Sequence, residues 1–280
     1  MKTQKSYDNS PTIYIVPTPI GNLEDITLRA LNILKEVEVI FAEDTRTTNI
    51  LLKHYNINKK ILSNHLYNEN KMITKEIEYL KNGKDIAIVS DAGTPVISDP
   101  GYILVKEAIK EGYNVVCLPG ATAIIPAVVM SGLAGGPFTF YGFLNNKESK
   151  RKKELETLKT NKYPIVFYES PHRVLKTLEN IKEIFGNRKI SIAREISKKY
   201  EEIIRGKIEE IIEKYEELKG EIVIIVEGNN ETKNYDNLTI KDHINIYLEE
   251  GIIPKEAIKK VAKERNLPKS EVYNEYLKNK

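Results

Sequence analysis

The chain has 280 residues, of which 41% are hydrophobic and 30% are charged. These proportions describe a soluble globular protein, and no apolar run reaches the length of a membrane span. The formal net charge of +3 permits a polyanionic partner without requiring one. The single cysteine, Cys117, excludes an intrachain disulfide, and its apolar neighbours predict a core position. We therefore expect a cytoplasmic protein.

Four apolar runs in the first half have the length and β-branched content of buried strands. They cover residues 12–16, 37–42, 85–89 and 114–118. Each is followed by a loop and a helical pattern, and Asp25 is the expected cap of the first helix. Because strand, loop and helix alternate four times, the first half is predicted to form a parallel sheet with crossover helices.

The loop after the third strand, Ser90–Gly101, contains two glycines and two prolines in twelve residues. Such a loop is rigid and has little side-chain bulk, so a ligand can approach its backbone closely. Asp91, one residue past the strand, is positioned to accept hydrogen bonds from a ligand's hydroxyl or ammonium groups. The alternative is a structural turn in which Asp91 and Asp99 form turns or cap a helix.

The other predicted strands also end in polar loops. In a parallel sheet these ends meet at one edge, where open α/β sheets bind ligands. The polar residues gathered there are Asn22, Glu43, Asp44, Arg46 and Asp91. The second half repeats this pattern in the loops 168–173 and 193–196, so a cleft between two α/β domains is the expected ligand site.

The composition and element pattern of the chain change at four points, which predicts five segments. They are a disordered N-terminus (1–11), an N-terminal α/β domain (12–136), a C-terminal α/β domain with a more mixed order of elements (137–228), a polar linker (229–238) and a helical module (239–280). Three short helices joined by tight connections make the module helix-turn-helix-like.

Several common site types lack their sequence signature. The four histidines, His54, His65, His172 and His243, are scattered and have no cysteine partners, so we expect no metal. The chain contains neither a P-loop nor a Gly-x-Gly-x-x-Gly motif.

Seven segments together resemble the tetrapyrrole methylase superfamily and, within it, the ribosomal RNA (cytidine-2′-O)-methyltransferases. They occur in that family's order and lie within about residues 12 to 228. These segments are Tyr14–Thr27, Ala42–Arg46, Ser90–Gly101, Leu118–Thr122, Phe140–Leu144, Tyr168–Arg173 and Arg194–Glu195. The tail resembles the family's C-terminal helical module.

The resemblance implies an S-adenosylmethionine enzyme that forms a homodimer, has no membrane segment and binds its cofactor between two α/β domains. The implied cofactor-binding residues are Pro17, Asp91, Gly93, Thr94, Ala121, Thr122, Tyr168 and Val226. The implied substrate is the 2′-hydroxyl of a cytidine in the decoding region of 16S ribosomal RNA, free or in the small ribosomal subunit.

Methyl transfer from a sulfonium is an in-line displacement, so the protein mainly supplies alignment. A ribose hydroxyl is a poor nucleophile, and a base should accelerate its reaction by roughly 10²–10⁴-fold. The candidate bases are Glu43, Asp44, Glu169 and Glu195. Arg46, Arg173 and Arg194 are candidates for holding phosphates, and Asn22 for orienting the ribose. We prefer Arg46 and Glu169, and the basic run Lys147–Lys153 is a candidate grip for backbone phosphates.

Two other functions stay open. The same scaffold could methylate a small molecule, such as a tetrapyrrole precursor or a diphthamide intermediate. Alternatively, the chain could be a non-catalytic RNA-binding assembly protein that retains a cofactor fold.

Overall fold

The structure is a computed structural model that describes residues 3–6, 8–65, 69–229 and 238–278, without the side chains of 69–71. It forms two compact units, residues 1–229 and 230–280. Of the predicted linker, only the two end positions belong to the described residues. The five predicted segment boundaries remain predictions.

The first half of the larger unit forms a five-stranded parallel sheet. Its strands are β1 (Thr12–Ile15), β2 (Val39–Ala42), β3 (Ile61–Ser63), β4 (Ile86–Val89) and β5 (Asn114–Cys117), in the order β3-β2-β4-β1-β5. Strands β2 and β4 are buried at every position, which explains their uninterrupted apolar runs. Strand β3 was not predicted from the sequence, because three half-buried residues are too few to show the alternation or the apolar run of a strand.

Helices connect and cover these strands. They are α1 (Leu28–Glu36), α2 (Thr45–His54), α3 (Glu69–Lys81), α4 (Tyr102–Glu111) and α5 (Ile124–Ser131). The prediction that Asp25 caps the first helix is wrong, since residues 23–25 form a 3₁₀ turn capped by Asn22. Helix α1 starts later, where the Thr27 hydroxyl accepts a hydrogen bond from the Ala30 N–H at 3.0 Å.

The second half forms another five-stranded sheet, in which the strand directions are mixed. Its strands are β6 (Thr139–Phe143), β7 (Ile165–Glu169), β8 (Lys189–Arg194), β9 (Glu202–Lys207) and β10 (Ile222–Val226), in the order β6-β7-β10-β8-β9. Only β6 and β7 are parallel; the other neighbours are antiparallel. The helices of this half are α6 (Glu148–Leu158), α7 (Val174–Phe185) and α8 (Ile208–Lys214).

Helix α5 joins the two halves, which we call the first and second lobes. Helices α6, α7 and α8 pack on one face of the second sheet, while α5 packs on the other. Ala127 and Val128 of α5 are buried in an apolar cluster with Val166, Val223 and Ile225 of that sheet. Burial of this apolar surface holds the lobes together.

The structure differs from two predictions near the edge strand β5. Cys117 is exposed, not a core residue, because β5 lies at the sheet edge and the burial of its side chains alternates. The N-terminal segment, predicted to be disordered, contacts the same strand. Gln4 exchanges two hydrogen bonds with the Val115 backbone at 2.9 and 3.0 Å, and Asn114 donates to the Lys5 carbonyl at 3.0 Å.

The smaller unit contains the three predicted helices, α9 (Ile240–Glu249), α10 (Pro254–Glu264) and α11 (Lys269–Leu277). They share a core that includes Ile244, Ile258, Val261 and Val272. Within the described residues, no helix combines the length and apolar character needed to cross a membrane.

Candidate functional site

The C-terminal ends of the first-lobe strands converge, as their parallel arrangement requires. Thr18 and Gly93 exchange backbone hydrogen bonds, both 2.9 Å, which join the loops after β1 and β4. The Thr94 hydroxyl donates to the Ala121 carbonyl at 3.2 Å and adds the loop after β5. Pro17 packs so closely on Gly120 that a Cβ there would lie 2.7 Å from the proline Cβ. These loops therefore form one continuous small-residue surface.

The loop Ser90–Gly101 adopts an unusual backbone conformation. Val96 and Ser98 have φ angles of 78° and 71°, in the left-handed region that a β-branched residue such as valine rarely enters. Strain of this kind persists where surrounding structure holds it in place. The loop also reaches the second lobe, since a Cβ on Gly142 of β6 would lie 3.5 Å from the Ser98 hydroxyl.

Three carboxylates at these strand ends perturb one another; we call Glu43, Asp91 and Asp99 the acidic tip group. Burial and the charge of Asp91 raise the pKa of Glu43. Partial burial also raises the pKa of Asp91, whose carboxylate accepts the Asp44 N–H at 3.2 Å. Burial and the charge of Glu43 raise the pKa of Asp99 to about 6. A cation placed among these groups would relieve both their repulsion and their desolvation.

Asp99 was not among the predicted site residues, because only turn formation or helix capping was expected of it. The available signal was its position at the far end of the same loop as Asp91. Its burial could not be predicted, since the side chain of a residue ten positions beyond the strand can face the protein or the solvent.

Asp44 and Arg46 form a pair that faces solvent. The guanidinium donates to both carboxylate oxygens of Asp44, at 3.1 and 2.7 Å, and these hydrogen bonds lower the pKa of Asp44 to about 2. The Arg46 side chain is 88% exposed. Asp44 also caps α2 by accepting the Arg46 N–H at 2.8 Å. Its charge is therefore already balanced, in contrast to the acidic tip group.

Tyr168 and Glu169, adjacent in β7, point to opposite faces of the second sheet. Tyr168 packs on the α5 face. Burial and the charge of Asp99 raise the pKa of Tyr168 to about 12, although its hydroxyl lies close enough to the Thr122 side chain of the first lobe for Thr122 to lower that pKa. The predicted residues Thr122 and Tyr168 therefore lie together, and the charge of Asp99 reaches them.

The Glu169 carboxylate instead lies inside the second lobe, with a fully buried side chain. It accepts hydrogen bonds from the Thr177 hydroxyl at 2.6 Å and from Arg173 at 3.2 Å. Arg173 also donates to the Leu144 carbonyl at 2.9 Å and to the side chain of Asn146. The two predicted site residues Glu169 and Arg173 therefore hold α7 and the loop after β6 together, and these hydrogen bonds all lie within the second lobe.

Two further predicted residues, Asn22 and Glu195, are engaged in local hydrogen bonds. The Asn22 side chain caps the 3₁₀ turn through the Glu24 N–H at 3.1 Å. Glu195 accepts from Glu221 N–H at 2.8 Å and from Lys198 at 3.1 Å, and these contacts lower its pKa.

Val226 is fully buried in the core beneath α7 and pairs with Ile165. Tyr168, by contrast, pairs with Val223, three residues earlier in β10. Three strand residues correspond to about 10 Å, so Val226 does not reach Tyr168.

A pocket of about 200 Å³ adjoins the acidic tip group on the side of α2. The residues that line it all belong to the first lobe: Thr18, Pro19, Gly21, Leu23, Thr47, Thr48, Ile50, Leu51, Ser90 and Asp91. Asp91 thus belongs both to the pocket wall and to the acidic tip group.

The basic run Lys147–Lys153 is only partly available for binding. Arg151 is buried and donates to Asn180 at 2.7 Å, and Lys152 pairs with Glu183 at 2.7 Å. Lys147, Lys150 and Lys153 remain exposed. Among the described residues, no group of three or more His, Cys, Asp or Glu side chains is arranged to hold a metal.

The fold of the two lobes is similar to that of solved methyltransferases. The uroporphyrin-III-C-methyltransferase from Thermus thermophilus superposes with a TM-score of 0.55 at 16% identity, over 77% of this chain and 94% of that one. The methyltransferase CobJ superposes with a TM-score of 0.60 at 18% identity, over 79% of this chain and 95% of that one. At these identities the likeness concerns the fold alone.

Sequence comparison narrows this class to a family. The profile of the Tetrapyrrole (Corrin/Porphyrin) Methylases matches residues 12–212, so the chain belongs to this family. Among its relatives, the Ribosomal RNA small subunit methyltransferase I of Bacillus subtilis is 49% identical over 94% of this chain and 93% of its own length. The protein of the same name from Halalkalibacterium halodurans is 47% identical, over 99% of both chains.

Proposed function

We propose that this protein transfers a methyl group from S-adenosylmethionine to the 2′-hydroxyl of a cytidine in the decoding region of 16S ribosomal RNA. The observation that carries the proposal is similarity over nearly the full length. Relatives 49% and 47% identical, matched over 94% and 99% of this chain, bear the name Ribosomal RNA small subunit methyltransferase I.

The residues at the strand tips fit the cofactor chemically. S-adenosylmethionine carries a sulfonium and an ammonium, and when bound it supplies an electrophilic methyl group without a metal. The acidic tip group offers three carboxylates whose raised pKa values a cation would lower again. The small-residue surface around Gly93 and Gly120 lets a ligand approach the backbone closely. We therefore propose Asp91 and Asp99 as contacts to the cofactor's positive groups, with Tyr168 across from them.

We further propose that the pocket beside α2 receives the acceptor ribose and that Glu43 accepts its proton. The pocket shares Asp91 with the acidic tip group, so a nucleoside there would lie next to the methyl donor. Glu43 is partly buried, and its raised pKa brings the carboxylate closer to the range of a useful base. Glu43 thus replaces Glu169 as the preferred candidate.

The proposal is tested with labelled S-adenosylmethionine and three acceptors: free 16S RNA, isolated small subunits and a tetrapyrrole mixture. We expect label on one cytidine ribose, identified by nuclease digestion and mass spectrometry. Label on a tetrapyrrole would replace this function with small-molecule methylation. Cofactor binding without transfer to any acceptor, or no binding by calorimetry, would favour a non-catalytic assembly protein.

We also propose that the protein is a cytoplasmic homodimer. Helix α5 supports the dimer, because Ile125 and Val129, one turn apart, are 51% and 72% exposed although both are apolar. Sedimentation velocity should therefore give twice the mass of one chain, and the substitution Val129→Asp should reduce it to one. A wild-type protein that sediments as a monomer at micromolar concentration would contradict the dimer.

A further inference from the structure

Helix α10 of the smaller unit carries a regular row of exposed lysines. Lys255, Lys259 and Lys263 are spaced four residues apart and are exposed. This spacing places them within one side of the helix, about 6 Å apart and spanning about 12 Å. We call these three residues the lysine row. Within the described residues, none of them forms an ion pair.

Helix α10 has two acidic side chains: Glu256 is exposed and forms no ion pair with the row among the described residues, and Glu264 is engaged elsewhere. Glu264, one residue beyond Lys263, accepts hydrogen bonds from Tyr247 at 2.7 Å and contacts the buried His243 at 3.0 Å. These contacts tie the end of α10 to α9. The Glu264 carboxylate is therefore engaged inside the module and does not neutralise the lysine row.

The other cations in and just after α10 contact groups within the module, unlike the lysine row. Lys260 lies over the Tyr247 ring, 5.0 Å from its centre. Arg265, just past the helix, donates to the Leu238 carbonyl at 2.6 Å and to His243 at 3.1 Å. Both cations pack against α9 or the segment before it, whereas the lysine row has no such partner among the described residues.

We infer that the lysine row binds the phosphate backbone of RNA and gives the small module a nucleic-acid contact of its own. Three evenly spaced cations match a repeating anion, and Lys serves as a point charge that needs no base sequence. This inference rests on the proposed function, because a ribosomal RNA substrate supplies the polyanion. It concerns affinity and not the methyl-transfer chemistry.

The test compares two triple variants of the full chain that remove the same charge. One is Lys255→Ala, Lys259→Ala, Lys263→Ala. The control is Lys35→Ala, Lys75→Ala, Lys106→Ala, at exposed positions of α1, α3 and α4. Alanine favours helix, so both should fold, which thermal unfolding verifies. Binding is measured by fluorescence anisotropy with a labelled single-stranded fragment of 16S RNA at several salt concentrations.

We expect the row variant to bind about tenfold more weakly at low salt, and its plot of log K against log salt to be shallower by about 2, at ~0.7 counterions per phosphate. The control should change less than twofold. A Lys→Arg version of the row should retain wild-type binding. Equal affinities and slopes for the row variant and the control would overturn the inference.

Two further outcomes separate this inference from the proposed function. If the row variant keeps its affinity for naked RNA but loses small-subunit binding, the row contacts a protein, and the RNA inference fails. If the wild type methylates no ribosomal RNA, the proposed function fails, yet the anisotropy comparison still decides whether the row binds RNA. If the wild type methylates ribosomal RNA and the row variant binds RNA as tightly as the wild type, the inference about the lysine row fails and the proposed function stands.

Discussion

Charged residues follow the strands of both lobes, but the two lobes use them differently. In the first lobe, Glu43, Asp91 and Asp99 lie together, and burial raises the pKa of each. In the second lobe, Glu169 and Glu195 are each held by internal hydrogen bonds. The position of the first set disfavours the charged form of its carboxylates, whereas the hydrogen bonds of the second set stabilise the surrounding structure.

The difference follows from sheet topology. Parallel strands bring all their C-terminal ends to one edge of the sheet. Like charges that follow these strands therefore lie close together, where a ligand of opposite charge can bind. In the second sheet most neighbours are antiparallel, so the end of β7 lies beside the start of β10, and charged ends meet other elements of the same lobe. A charged residue after a strand is thus a better site candidate in a parallel sheet. The following predictions test this distinction.

The largest expected effect is on stability, from Glu169→Ala. Removing the buried carboxylate leaves Arg173 and Thr177 without their shared acceptor, and the free energy of unfolding should fall by about 3 kcal/mol. Urea unfolding followed by circular dichroism measures the change. Glu183→Ala removes an exposed pair with Lys152 and should cost less than about 1 kcal/mol. A variant as stable as the wild type that has lost methyl transfer would assign Glu169 to catalysis.

The next largest effect is expected for Asp91→Asn. The loss of a charge-assisted contact to a cationic ligand should raise the Kd for S-adenosylmethionine by about 10–100-fold. The free energy of unfolding should not fall, because the substitution removes a repelling charge from the acidic tip group. Calorimetry gives the Kd, and Glu36→Gln, an exposed carboxylate at the end of α1, is the matched control. An unchanged Kd would remove Asp91 from the cofactor site.

A smaller and more selective effect is expected when the pocket beside α2 is filled. Thr47 is exposed on α2 and lines this pocket, so Thr47→Tyr should fold and occupy its volume. We expect KM for RNA to rise about tenfold, the discrimination expected from about 1.4 kcal/mol of lost binding, with no change in cofactor Kd. Steady-state methyl transfer and calorimetry separate the two quantities. Loss of cofactor binding instead would make this pocket the cofactor site.

The last prediction concerns the titration of Asp99, whose effect appears as a dependence on pH. Its pKa is about 6 in the folded protein against the ordinary 3.8, so the folded state binds this proton more tightly than the unfolded state. On this account the free energy of unfolding falls as pH rises from about 4 to about 6 and then stays level. Affinity for a cationic cofactor should change in the opposite direction and rise through about pH 6.

The substitution Asp99→Asn should flatten both profiles of Asp99, because it keeps the shape of the side chain without its titration. Calorimetric Kd values and urea unfolding, each measured between pH 4.5 and 8, provide the readouts. Profiles that coincide for the wild type and the variant would contradict the assignment of this pKa to Asp99.

Much of the architecture could be predicted from local pattern. Apolar runs identified β1, β2, β4 and β5. The reason is clearest for β2 and β4, because strands buried on both faces of a parallel sheet have few polar positions, whereas the burial of the edge strand β5 alternates. The helices of the C-terminal module followed from their apolar spacing. The grouping of Glu43 with Asp91 also followed, since parallel strands must end at one edge.

Tertiary structure alone decided the direction of individual side chains. Tyr168 faces the first lobe and Glu169 the interior of the second, a difference set by which face of β7 packs on α5. Asp99 became a site candidate only through its burial. Arg151, although part of the basic run, is not available for phosphate because it donates a hydrogen bond to Asn180. Local spacing determines that an element exists, whereas the environment of a charge depends on neighbours distant in sequence, which is why the pKa values could not be predicted beforehand.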